Sequence, residues 1–144
     1  MASWTTPIFD RTQTDVDNKE DKAYHDYDFF NRVEENSEYI ADEATTLGYP
    51  LSYTTKYDWD NDDEYDIADT ERILDNIQDI KDAIPTLATP TVPSDMVDMS
   101  YSEANDIEEI ESKAYNIIQG ISENTLYTVM SGGTDRTRQL LQRG

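Results

Sequence analysis

Cysteine is absent and histidine occurs once, at His25. Disulfides and thiolate metal sites are therefore excluded, as is a zinc centre built mainly from imidazoles of one chain. Basic residues are scarce: 11 Lys and Arg stand against 32 Asp and Glu, a formal charge of −21 over 144 residues. Such a surface repels phosphate backbones and anionic headgroups, which argues against nucleic-acid and membrane partners. Long apolar runs are missing, and nothing approaches the roughly 20 residues that span a bilayer. The opening Met1-Ala2-Ser3-Trp4-Thr5-Thr6-Pro7 lacks the basic and apolar regions of a secretory signal.

Oily residues are few as well. Leu, Ile, Val and Phe number 27 of 144, just under the ~20% at which a highly charged chain is suspected of disorder. Ten tyrosines and two tryptophans work against that, because aromatic rings bury large areas. The balance predicts one domain with a slim core. It also predicts a marginal isolated monomer, completed by contacts with other copies or other proteins.

Periodicity predicts a mainly α protein: three amphipathic helices in an elongated bundle, with extended N- and C-terminal arms and a short β segment. Residues 1–24 read as an arm with a short helix from Gln13 to Asp21, capped by Thr12 or Thr14. Residues 25–120 read as the three-helix domain. Its first helix spans 27–47, with Asp26 or Asp28 as cap and Phe30, Val33, Ser37, Ile40, Ala44 and Leu47 as its stripe. Gly48 falls where a C′ residue needs positive φ. The second helix spans 70–84, capped by Asp69, with Ile73, Leu74, Ile77, Ile80 and Ile84 inward. The third spans 103–119, capped by Ser102, with Ile107, Ile110, Ala114, Ile117 and Ile118 inward and Gly120 closing it. An irregular loop at 49–66 holds a brief strand near Leu51 to Thr55, and a proline-rich connector occupies 85–101. Residues 121–144 read as a strand at Thr125–Met130, a Gly132-Gly133 turn and a basic arm. Residues 136–144 hold three arginines and no acid, so 1–135 carry −24.

Chemistry-bearing patterns are sparse. Asp58, Asp60 and Asp62 have the alternate spacing of a calcium loop, but the sixth position is Asp63 and the twelfth is Asp69, where Gly and Glu belong. They are weak metal candidates, and the run 58–66 reads as a solvated acidic loop. His25 reads as a surface histidine, and no catalytic triad or phosphate-cradling loop is present. No cofactor is expected. The aromatic residues around the first helix read as interface or core first and as a glycan-binding surface second. Candidate interface residues are Trp4, Ile8, Phe9 and Arg11 in the opening arm, and Tyr53, Tyr57 and Trp59 in the loop. Tyr127, Arg136, Arg138, Leu140, Leu141 and Arg143 complete the set near the end. Each arm either folds back on its own chain or reaches a neighbour, the basic one as in a head-to-tail ring. Arg11 and Arg32 are expected to form salt bridges that fix the opening segment on the first helix.

An ordered series of short motifs supports a resemblance. Trp4-Thr5-Thr6-Pro7 and Asp10-Arg11-Thr12 are followed by Asp28-Phe29-Phe30-Asn31-Arg32-Val33-Glu34-Glu35-Asn36, then Gly48-Tyr49 and Asp58-Trp59. Arg72-Ile73-Leu74-Asp75-Asn76-Ile77 and Asn105-Asp106-Ile107-Glu108 close the series. From residue 4 to about 118 the chain resembles a family of small virion proteins, or N-terminal virion modules, of tailed phages and prophages of Gram-positive bacteria. The helix motif carries one extra residue, and the basic end at 134–144 has no counterpart. The resemblance implies a structural role near the tail tip, baseplate or fibre attachment and names no active site. The expectation is a non-enzymatic, multi-copy virion component, assembled in the host cytoplasm with copies of itself and other virion proteins. Alternatives are a neck or collar component, a host-receptor or glycan-binding module, and an acidic DNA-mimic inhibitor.

Overall fold

The computed structural model describes residues 2–84 and 89–130, with only the backbone described for 122–130. A short helix α1 (Gln13–Asp17) and a single 3-10 turn (Asp21–Ala23) precede three long helices: α2 (Tyr27–Thr46), α3 (Ile67–Ala83) and α4 (Tyr101–Met130). The mainly α expectation holds. No strand occurs among the described residues.

Helix starts are set by side-chain caps. Asp26 accepts from the Asp28 and Phe29 amides at the start of α2. Reciprocal capping boxes open the other three helices: Thr12 with Asp15, Asp66 with Asp69, and Ser100 with Glu103. The expected caps Asp69 and Ser102 are thus corrected. Asp69 is the N3 partner within its box, and α4 begins one residue before Ser102. Helix α2 ends as expected, with Gly48 at φ +96° and the Tyr49 amide returning to the Ala44 carbonyl at 2.8 Å.

The expected strand at 125–130 and the closure at Gly120 are both overturned, because α4 runs unbroken through them. A glycine inside a helix costs only ~1 kcal/mol. That is too little to stop a helix whose first turns are held by two others. The expected domain boundary at 120/121 therefore falls inside α4.

The three long helices point the same way. Residues near their N-terminal ends share one core cluster: Phe29, Phe30 and Val33 with Ile73, Leu74 and Ile77, and with Ala104, Ile107 and Ile110. Residues further along each helix share a second: Ile40 and Ala44 with Ile80 and Ile84, and with Ala114 and Ile118 midway along α4. Parallel helices need long return paths, and both connectors supply them. Residues 51–59 descend beside α2, pairing Tyr53 with Asp42, Thr55 with Glu38 and the Trp59 amide with Asn31. On the second return path, Lys81 holds the Pro90 carbonyl, and Val92, Met96 and Met99 join the first cluster. The opening segment descends likewise, from Trp4 at the second cluster to Arg11 near the first. The brief strand expected near Leu51 is an extended run paired with side chains rather than with another strand.

Candidate functional site

The most chemically dense part of the molecule lies where the opening segment crosses α2 and α4. Glu108 is fully buried in the middle of it. Arg11 donates to Glu108 Oε2 at 2.6 Å, and Arg32 donates to both carboxylate oxygens at 2.6 and 2.8 Å. The Ile8 amide adds a fourth bond to Oε1 at 3.1 Å. The remaining Arg11 donors reach the carbonyls of Ile8 and Lys22 and the Asn105 side chain. Both guanidinium groups lie over the Phe29 ring, 5.4 and 5.9 Å from its centroid. The expected pairing of Arg11 and Arg32 is thus real, but its anchor is Glu108 on α4, and α2 supplies the second arginine.

A second node centres on Glu34 of α2. It receives both terminal nitrogens of Arg72 from α3, the Trp59 indole N–H at 2.6 Å and the Lys56 amide at 2.9 Å. Asparagines fasten the extended runs to the helices. Asn36 grips the Thr5 N–H and C=O, Asn105 those of Arg11, and Asn31 those of Trp59. Asn76 adds the Thr54 carbonyl. Each amide presents one acceptor and one donor, the pair a neighbouring strand would offer, so buried backbone groups are satisfied without a sheet.

Glu111 is the odd member. It is fully buried, accepts the Ser37 hydroxyl at 2.8 Å, and its Oε1 has no hydrogen-bond partner. Burial first, and then the charge of Glu108, push its pKa well above the usual carboxylate range. Its surroundings therefore favour the protonated form, and Glu108 is the carboxyl group that both arginines reach.

The candidate interface residues divide. Arg11 and Trp59 are interior, at 3% and 6% exposure. Trp4 stacks on Tyr115, with centroids 4.0 Å apart and planes at 6°, and touches Tyr39. Ile8 is half-buried, whereas Phe9 is 41% exposed. The Tyr57 hydroxyl donates to Glu38. Tyr53 donates to Asp42 at 2.5 Å, a bond that pushes its phenol up to about 12. Arg136, Arg138, Leu140, Leu141 and Arg143, and the Tyr127 side chain, lie outside the described residues. Asp58 pairs with Lys56, and the Asp60 carboxylate accepts the Asp62 amide. No group of three or more metal-ligating side chains converges among the described residues. His25 corrects the surface expectation: it is half-buried, packs on Phe29, and its Nε2 is buried without a partner.

Sequence reasoning passed over Glu34, Asn36, Glu108 and Glu111 as core members. The available signal was positional. Glu108 and Glu111 continue the Ala104–Ile107–Ala114–Ile118 spacing of α4, and Glu34 lies four residues after Phe30. The arrangement as a whole binds the chain's own backbone. It is a clasp that holds residues 2–11 against two helices. Trp4→Ala is expected to cost about 2–3 kcal/mol, through the lost stack and the exposed Tyr115 face. Urea unfolding followed by circular dichroism measures it.

The chain matches no protein-family model, no curated protein and no solved structure.

Proposed function

We propose that this chain is a non-enzymatic structural subunit of a tailed-phage virion, present in several copies at the tail tip, baseplate or fibre attachment. One observation carries the reading. The polar and aromatic residues through which the sequence resembles small virion proteins fall in two polar nodes, in the asparagine clamps and in the Trp4 stack. Trp4, Arg11, Asn31, Arg32, Glu34, Asn36, Trp59, Arg72, Asn76, Asn105 and Glu108 all hold the arm and the return loop onto the helices. Motif residues that hold the chain's own backbone support a reading in which the series encodes a fold. The acidic exterior suits such a part, because like charges suppress nonspecific association before assembly.

Mass spectrometry of purified particles induced from the strain that carries this sequence tests the proposal. Peptides of this chain are expected in every particle preparation, at several copies per particle. Their absence from particles, with the chain present in the lysate, contradicts it. Immunogold labelling separates the tail tip from a neck or collar position.

A further inference from the structure

Beside the start of α2, Phe30, Trp59 and Tyr65 form the aromatic wall of a cleft of about 280 Å³. The Phe30 ring sits 4.6 Å from Tyr65 and 5.9 Å from Trp59. Asp26, Asp60 and Asp63 line the same cleft. In each, one carboxylate oxygen accepts a backbone amide, and the other makes no hydrogen bond among the described residues. His25, with its unpartnered Nε2, lines it too. One cation already uses this set: Lys56 Nζ lies 4.6 Å from the Trp59 ring centroid and 3.6 Å from Asp63 Oδ2, the oxygen that accepts the Asp60 amide. Aromatic faces beside free carboxylate oxygens are the surroundings that a guanidinium group prefers, by stacking and forked hydrogen bonds.

Chain length also separates the arginines of the basic segment: Arg143, 13 residues past Met130, spans about 44 Å extended and reaches back to its own cleft, whereas Arg136 and Arg138 do not. The cleft is at the N-terminal end of the parallel bundle, level with Ala104 in the first core cluster. From Ala104, α4 carries the chain about 39 Å to Met130, at ~1.5 Å per residue. Arg136 and Arg138 follow within six and eight residues of Met130. Fully extended, those stretches span about 20 and 27 Å, too short to return to the cleft of their own chain. A second copy placed beyond the end of α4 has no such limit.

We propose that the basic segment 134–144 of one copy inserts Arg136 or Arg138 into this aromatic, acidic cleft of the next, joining copies head to tail. The inference rests on the multi-copy reading above and names its contact. An interface of this kind is heterologous, so it closes into a ring or extends as a filament. It also brings the three arginines of 136–144 to a chain body that carries −24.

Light scattering on the full chain tests it. At low salt the mass is expected to exceed one chain severalfold, and to fall toward one chain at high salt. Arg136→Glu/Arg138→Glu and Asp60→Lys/Asp63→Lys are each expected to yield single chains. An equimolar mixture of the two variants retains one intact arm and one intact cleft per pair, so it is expected to stop at two chains. Circular dichroism checks that both variants fold. If the cleft variant does not, a synthetic 134–144 peptide titrated into the wild-type chain is expected to dissolve the assembly. A wild-type chain that stays single at every concentration overturns the proposal, as do variants that keep the wild-type mass. A Trp fluorescence change in the arm variant without a change in mass places the arm on its own chain and also overturns it. Particles that contain many copies alongside variants of wild-type mass leave the virion reading standing and remove only this contact.

Discussion

Replacing Glu108 with glutamine is expected to lower the stability of the fold by about 3–5 kcal/mol. The side chains of Arg11 and Glu108 are both fully inaccessible to water, and Arg32 is 14% exposed at the same carboxylate. Glutamine keeps the shape but removes the charge that both guanidinium groups pair with. Arg32 can turn toward solvent, whereas Arg11 is enclosed by the Ile8 and Lys22 carbonyls and Asn105. An uncompensated buried charge is what makes the loss large; the net worth of an exposed pair is under ~1 kcal/mol. Against a total stability of order 5–15 kcal/mol, the change is a large fraction of the whole. Arg11→Met is expected to cost less, about 1.5–3 kcal/mol, because Glu108 keeps Arg32. Urea midpoints, read by helical circular dichroism and separately by Trp fluorescence, measure both. In Arg11→Met the two probes are expected to part, with the Trp4 environment lost before the helices.

Glutamine at position 111 is expected to do the reverse, and to do so in a pH-dependent way. A carboxyl group whose folded pKa lies above its unfolded value binds its proton more tightly in the folded state. Its contribution is fully present below the unfolded value, near 4.5. It is lost as pH rises toward the raised folded value, because the unfolded chain gains an ionised form that the folded chain withholds. The wild-type chain therefore loses stability relative to Glu111→Gln across that interval, by at most ~1.4 kcal/mol per pH unit. The groups facing Glu111 are Glu108, Arg32 and Ser37. Glu108 and Arg32 oppose one another, and Ser37 stays neutral. Near pH 4 the two proteins are expected to melt together; near pH 7 the glutamine variant is expected to melt higher. Equal melting temperatures at both pH values mean that Glu111 is ionised in the fold.

The helices were legible in the sequence because their stripes are apolar and their ends are marked. Ile73, Ile77, Ile80 and Ile84 are all buried as their spacing requires, and Gly48 takes the positive φ its position predicts. The common direction of the helices was not legible, since connectors as long as 47–66 and 84–100 allow either sense. The end of α4 was misread because Gly120 and the Thr-Leu-Tyr-Thr-Val run resemble a stop and a strand, while a single glycine has little power against a helix whose first turns are already held. The candidate site was half legible. Arg11 and Arg32 stood out as rare cations in an acidic chain, and the helical spacing places Glu34, Glu108 and Glu111 on the inward faces, but nothing local names the partners that bury them. Their burial comes from segments about 75 to 100 residues away in sequence for Glu108 and Glu111, and about 20 to 40 for Glu34. The slim apolar content has the same explanation. Interior volume that leucine or valine fills elsewhere is filled here by paired arginine, glutamate and asparagine side chains.

Amide hydrogen exchange followed by NMR, on the full chain at neutral pH, probes the clasp most directly. The backbone N–H groups of Thr5, Ile8, Arg11 and Trp59 lie outside helices and donate to side chains of α2 and α4. They are expected to exchange as slowly as the helical amides of Val33 and Ile110, and all four to speed up together in Glu108→Gln. Exchange of Thr5, Ile8 and Arg11 at the rate of an unstructured chain, with the helices still protected, would show an arm that lies free of its own helices.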